Sequence, residues 1–196
     1  MNKIILDLCG GTGAWSKPYK DSGYDVRNIT LPNYDVRTYQ PPKNVYGILA
    51  APPCTMFSLA RTKSNELRDL KEGMEIVRAC LNIIWYFMEI KQNTKHKTLP
   101  LKFWALENPS GMLKYFLGKP AFEFNPYDFG DNYKKKTYLW GWFNEPKKSP
   151  IQCNQLKFDM LATKEIHGKF YGKLTRTERR AITPTGFAKA FFKANK

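Results

Sequence analysis

The stretch KIILDLCGGTGAW, residues 3–15, decides the fold. Its apolar run 3–8 breaks at once into CGGTG (9–13), which predicts a short buried strand feeding a glycine-rich turn. A helix is expected over roughly 14–22, ending near Gly23. Working outward, YDVRNITL (24–31) alternates as a second strand, and VYGILAA (45–51) is a third, buried one stopped by Pro52 and Pro53. The region 66–91 is the strongest helix, because Met74, Val77, Leu81, Ile84 and Met88 recur at spacings of three and four and make one apolar stripe. A basic loop (91–102) leads to the strand FWALEN (103–108), and KKTYLWGWF (135–143) is a late strand rich in aromatics. TPTGFAKAFFKA (183–194) is the last helix, with Thr183 as its expected N-cap and Pro184 in its first turn.

Strands alternating with helices predict an α/β fold: one domain over 1–196, with a mostly parallel sheet and helices on both faces. In such sheets ligands bind beyond the carboxyl ends of the strands. Three motifs fall there: CGGTG after the first strand, PPC (52–54) after the third, and Glu107-Asn108-Pro109 after the next.

Glycines at 10, 11 and 13 permit positive φ and let a ligand approach the backbone closely. Asp7 just before them can hold a cationic amino group, and amides of the turn can hold a carboxylate; a tight turn with no ligand gives the same spacing. Cys54 is either a small structural residue at a strand end or a nucleophile whose approach is stiffened by Pro52 and Pro53. Cys9, Cys80 and Cys153 are taken as structural. Glu107 ends an apolar strand, where it either pairs with a lysine or shares a proton with a substrate as a carboxyl of raised pKa.

The chain of 196 residues is 42% hydrophobic, a globular value. Its 32 Lys and Arg against 17 Asp and Glu leave a net charge of +15. Residues 131–196 alone hold 15 basic and 5 acidic residues. Such a field favours a polyanionic partner, nucleic acid first, with a lysine-rich solubility surface as the other reading. The 4 cysteines form no CxxC pair and the 2 histidines do not fall at zinc-ligand spacing, so neither a disulfide framework nor a metal is expected. The longest apolar stretch, CLNIIWYFM (80–88), is far short of a membrane span, and the N-terminal run is too short for a signal peptide. A soluble, cytoplasmic protein is expected.

Together these motifs resemble, in order along nearly the whole chain, the cytosine-5 DNA methyltransferase family. DLCGGTGAW resembles its S-adenosylmethionine loop, PPCTMFS its Pro-Cys nucleophile motif, and ENPSG its Glu-Asn motif. YKKKTYLWGWF sits where the family has an Arg-rich strand, LTRTERRAITP resembles its late LTxRExxR element, and TPTGFAKAF the element that completes the cofactor pocket. The resemblance implies a Rossmann-like S-adenosylmethionine-dependent methyltransferase fold and transfer of a methyl group to cytosine C5 in DNA. It implies catalytic roles for Cys54 as nucleophile, Glu107 at cytosine N3, Asn108 in support of the loop, and Lys135. The implied cofactor contacts are Asp7, Cys9, Gly10, Gly11, Thr12, Gly13, Trp15 and Pro52. Thr30 stands where the family has a ribose-binding acid, and Asp35 matches the element that contacts the adenine amino group. A modified S-adenosylmethionine is therefore the alternative cofactor.

Only about forty residues (144–182) fill the place of the family's target-recognition region. Low intrinsic sequence specificity follows, with a partner protein to supply it or a small single-stranded substrate. Lys134, Lys136, Lys147, Lys148, Lys157, Arg176, Arg179 and Arg180, with Ser58 and Arg61 near the nucleophile, are the expected DNA contacts, made to phosphates. The Lys134-Lys135-Lys136 trio offers point charges in place of guanidinium forks. The compact form suits a phage-encoded enzyme acting in a bacterial host cell. The competing expectation is a catalytically silent homologue that occupies DNA or regulates a partner.

Overall fold

The structure, a computed structural model, describes residues 3–59, 66–92, 101–151, 157–158 and 172–196. It is an α/β fold built on a six-stranded, mostly parallel mixed sheet. In chain order the sheet strands are β1 (Ile4–Leu8), β2 (Asp25–Ile29), β3 (Val45–Ala50), β4 (Phe103–Pro109), β5 (Phe122–Phe124) and β7 (Thr137–Trp142). A short β6 (Tyr133–Lys134) pairs with β8 (Lys157–Phe158) apart from that sheet. The helices are α1 (Lys17–Asp21), α2 (Leu70–Gln92), α3 (Lys114–Leu117), α4 (Arg176–Ala181) and α5 (Thr185–Ala194).

The sheet order is β2-β1-β3-β4-β7-β5. Its first four strands run parallel, β7 runs antiparallel to β4, and β5, antiparallel to β7, runs in the direction of the first four. Both faces are covered, which explains why β1 is buried along its whole length. On one face Leu6, Leu8, Ile48 and Leu106 meet Val77, Cys80, Ile84 and Phe87 of α2. On the other, Ile5, Leu49 and Phe103 meet Tyr19 of α1 and Phe187 and Phe191 of α5. This architecture is compatible with a Rossmann-like fold. The chain passes from β1 to β2 on one side and on to β3 on the other, so the crevice of such sheets falls between β1 and β3.

Several expected boundaries shift. The first helix starts only at Lys17, because residues 11–16 are spent in the turn. The last helix begins at Thr185 with Pro184 as its N-cap, and no side chain caps it, so Thr183 lies just outside. Helix α2 starts at Leu70 rather than 66. Its buried face is centred on Val77, Cys80, Ile84 and Phe87, with the expected Met74, Leu81 and Met88 only partly buried at its edges. The three-residue β5 and the 3-10 turn Pro126–Phe129 were not expected from the sequence. No described helix is long and apolar enough to cross a membrane.

Candidate functional site

The turn after β1 packs three side chains beneath itself. Asp7 is fully buried and accepts a hydrogen bond from Ser16 Oγ at 2.5 Å. Asn28, at the end of β2, donates from Nδ2 to the Gly11 carbonyl at 3.0 Å. A Cβ on Gly10 would sit 2.4 Å from the Asp7 carboxyl carbon and 2.5 Å from Asn28 Oδ1, so only glycine lets both side chains lie there. Gly11 and Gly13 have φ of +53° and +70°, and Cys9 also has a positive φ, 56°, which is strained for a side-chain-bearing residue. Its Sγ lies 4.0 Å from that of Cys80.

Asp7 keeps one oxygen, Oδ1, without a partner, and burial pushes its pKa up to about 6 against the opposing bond from Ser16. Trp15 Nε1 is likewise buried and unpaired. Both residues line a cavity of about 390 Å³ at the carboxyl ends of the parallel strands. Also on its wall are Thr30, Pro52, Cys54, Glu107 and Lys135. The cavity therefore joins the glycine turn, the Pro-Cys loop and the Glu-Asn strand end, which lie far apart in sequence.

Pro52 leads out of β3 and holds its carbonyl against Asn108, whose buried Nδ2 donates to it at 2.9 Å. This one bond ties the Cys54 loop to the end of β4. Beyond the cysteine, the amides of Phe57 and Ser58 fold back onto the Cys54 carbonyl at 2.9 and 2.8 Å. Arg68 then clamps the loop, donating to the Met56 and Ser58 carbonyls at 2.9 Å each. Ser58 bridges to Gly111, where a Cβ would meet the Phe57 carbonyl oxygen at 2.3 Å.

Burial pushes the Cys54 thiol above its usual pKa, Lys135 opposes that, Glu107 adds to it, and Arg180 opposes it again. Burial likewise raises Glu107, with Lys135 pulling it down. Lys135 Nζ stands 3.9 Å from Glu107 Oε1, and both side chains are 13% exposed. Thiol, carboxyl and ammonium thus form one coupled group.

The remaining sequence-predicted residues are dispersed. Cys9, Gly10, Gly11 and Thr12 line the cavity, whereas Gly13 and Asp35 are not on its wall. Asp35 is paired with Arg37, because the turn it occupies brings the guanidinium onto its own carboxylate. Lys136 is paired with Glu123 at 2.8 Å and lies over the Tyr138 ring. Lys148 pairs with Asp128 at 3.0 Å and donates to the Glu123 carbonyl. Arg179 donates to the Leu174 carbonyl at 2.7 Å. Lys134 lies in β6, while Lys147 is exposed. Arg61 and Cys153 fall outside the described residues, as do the side chains of Lys157 and Arg176.

Sequence reasoning missed Ser16, Asn28 and Glu178. Glu178 lines the cavity and forms a capping box with Thr175, which the spacing TRTE (175–178) announces. Ser16 and Asn28 carry no such signal, because they meet Asp7 and Gly11 only once the turn has closed. No protein-family model matches the chain, and no curated protein matches it either.

Proposed function

We propose that the protein is a DNA cytosine-C5 methyltransferase that uses Cys54 as nucleophile and S-adenosylmethionine as methyl donor. The observation that carries this reading is the convergence of Asp7, Cys54, Glu107 and Lys135 on one cavity. The residues present fit the amino-acid end of the cofactor: Asp7 has a buried unpaired oxygen for an ammonium, and the turn brings backbone amides for a carboxylate. Thr30 offers a hydroxyl where the family has a ribose-binding acid. When bound, the cofactor supplies an electrophilic sulfonium methyl.

A cytosine enters the cavity either flipped out of a duplex or from a single strand, because C5 and C6 lie within the stack of paired DNA. Cys54 acts as the thiolate, and its charge is favoured by Lys135 and Arg180. A bond forms from Sγ to C6, and the C5–C6 π electrons move to C5, making that carbon nucleophilic. Glu107, raised by burial and so readily protonated, donates to N3 as negative charge develops there. Asn108 keeps the loop at the correct distance through Pro52. After substitution at C5, loss of the C5 proton re-forms the double bond and expels the Cys54 thiolate.

The test is trapping on DNA containing 5-fluorocytosine in the presence of S-adenosylmethionine. Fluorine cannot leave as a proton does, so the expected result is a covalent protein–DNA adduct by intact mass, absent in Cys54→Ala. The added mass reports the transferred group, which separates methyl from a modified cofactor. Intact DNA binding with no adduct would overturn the reading in favour of a silent binding protein.

A further inference from the structure

The apolar face of helix α2 extends past the part that the sheet buries, and that edge stays partly open. Leu70, Met74, Leu81 and Trp85 run along it at helical spacing and form one wall of a groove whose other wall is Phe116 and Leu117 of α3. The groove continues over Trp104 and Trp140 of the sheet. Its two segments, of about 700 and 460 Å³, share Leu81, Trp85, Phe116 and Leu117. Trp85 and Phe116 are 48% and 49% exposed. No residue of the groove belongs to the cavity of Cys54.

We infer that this groove is the docking site of a partner protein that presents an acidic amphipathic helix. From Leu70 to Trp85 the wall is about 22 Å long at 1.5 Å per residue, which matches four turns of a helix offering anchors at i, i+4, i+7 and i+11. Half-exposed tryptophan and phenylalanine are the residue types that anchor such contacts. The charge of the occupant follows from the rim, where, among the described residues, Lys71, Arg78 and Lys119 stand against one carboxylate, Glu75. A second copy of this chain, at +15, is repelled by that rim. Docking on the flank leaves the cavity at the strand ends open, so this partner and the substrate bind together.

The test uses the full chain and three fluorescein-labelled 18-residue peptides, read by anisotropy at physiological salt. One is amphipathic with Leu and Trp on one face and Glu on the other, the second carries Lys in place of Glu, and the third is the acidic peptide scrambled. The acidic amphipathic peptide is expected to bind, and the other two to bind at least about tenfold more weakly. Trp85→Glu and Phe116→Glu are both expected to abolish binding, and Trp85→Glu, which is away from the Cys54 loop, is expected to keep the wild-type circular dichroism and 5-fluorocytosine trapping. The double variant Lys71→Glu/Arg78→Glu should reverse the preference between the acidic and basic peptides. Equal binding of the scrambled peptide, or no binding of any peptide, overturns the inference. So does concentration-dependent self-association lost in Trp85→Glu, which assigns the groove to a second copy, or loss of oligothymidine binding in that variant, which assigns it to single-stranded DNA.

Discussion

Fully buried, with one oxygen bonded to Ser16 and the other without a partner, Asp7 keeps its proton to about pH 6. The unfolded chain releases that proton near pH 3.9. Between those values the native state binds more protons than the unfolded one, so this contribution to stability is present below the window and is lost as pH rises through it. The loss amounts to roughly 3 kcal/mol in total. Asp7→Asn is therefore expected to melt roughly 6–12 °C above the wild type at pH 7.5, with the difference shrinking by pH 4, in scanning calorimetry. The same variant is expected to lose S-adenosylmethionine binding by titration calorimetry, so stability and binding move in opposite directions. Cys54 gives a second residue-scale test. Its alkylation by iodoacetamide should titrate above the usual thiol range, because burial dominates. Lys135→Met should move that titration further up and Glu107→Gln should move it down, read by mass spectrometry across pH. A titration unmoved by either substitution would dissolve the coupled group.

Among the elements, the loop from Pro52 to Ser58 is set by contacts that come from elsewhere: Asn108, Arg68 and Gly111. Gly111→Ala drives a Cβ into the Phe57 carbonyl oxygen and is expected to cost about 1–3 kcal/mol. It should also reduce 5-fluorocytosine trapping, although residue 111 touches no substrate; unchanged trapping with a lowered melting temperature would mean that the loop re-forms without its bridge. The strands β1, β3 and β4 were legible in the sequence because strands covered on both faces must be apolar at nearly every position. β5 was not, since three residues, Phe122–Phe124, cannot display a period. The buried face of α2 was off by a fraction of a turn for a related reason. Its sequence is apolar over more than half its circumference, so the sheet selects which part is buried. Cys54 and Glu107 stood out because one follows a readable strand and the other is the charged residue near the end of one, β4, which runs on through Pro109. Ser16 and Asn28 are polar residues whose meaning depends on a turn that brings positions 7, 10, 16 and 28 together.

At the scale of the whole molecule, the +15 charge is not uniformly available to a polyanion. Lys136 and Lys148 are spent on Glu123 and Asp128, and Arg179 on the Leu174 carbonyl, so part of the basic excess holds the fold. Lys147→Ala is expected to reduce the slope of log K against log salt for DNA binding by about 1, as one phosphate contact fewer requires. Lys148→Ala should leave that slope unchanged and lower the melting temperature instead; equal effects on the slope would show both lysines facing DNA. One aromatic cluster joins residues from the two ends of the chain. Trp15, on the turn after β1, is buried against Phe187 and Phe191 of α5, with ring centres 5.8 and 5.4 Å away. A ribosome adding 5–20 residues per second takes roughly 10–35 s to make the intervening chain. For that interval the turn exists without its cover. Ribosome-stalled chains carrying an added linker are expected to capture a ligand at the turn only once position 191 has cleared the exit tunnel, which makes ligand capture a clock for the end of synthesis.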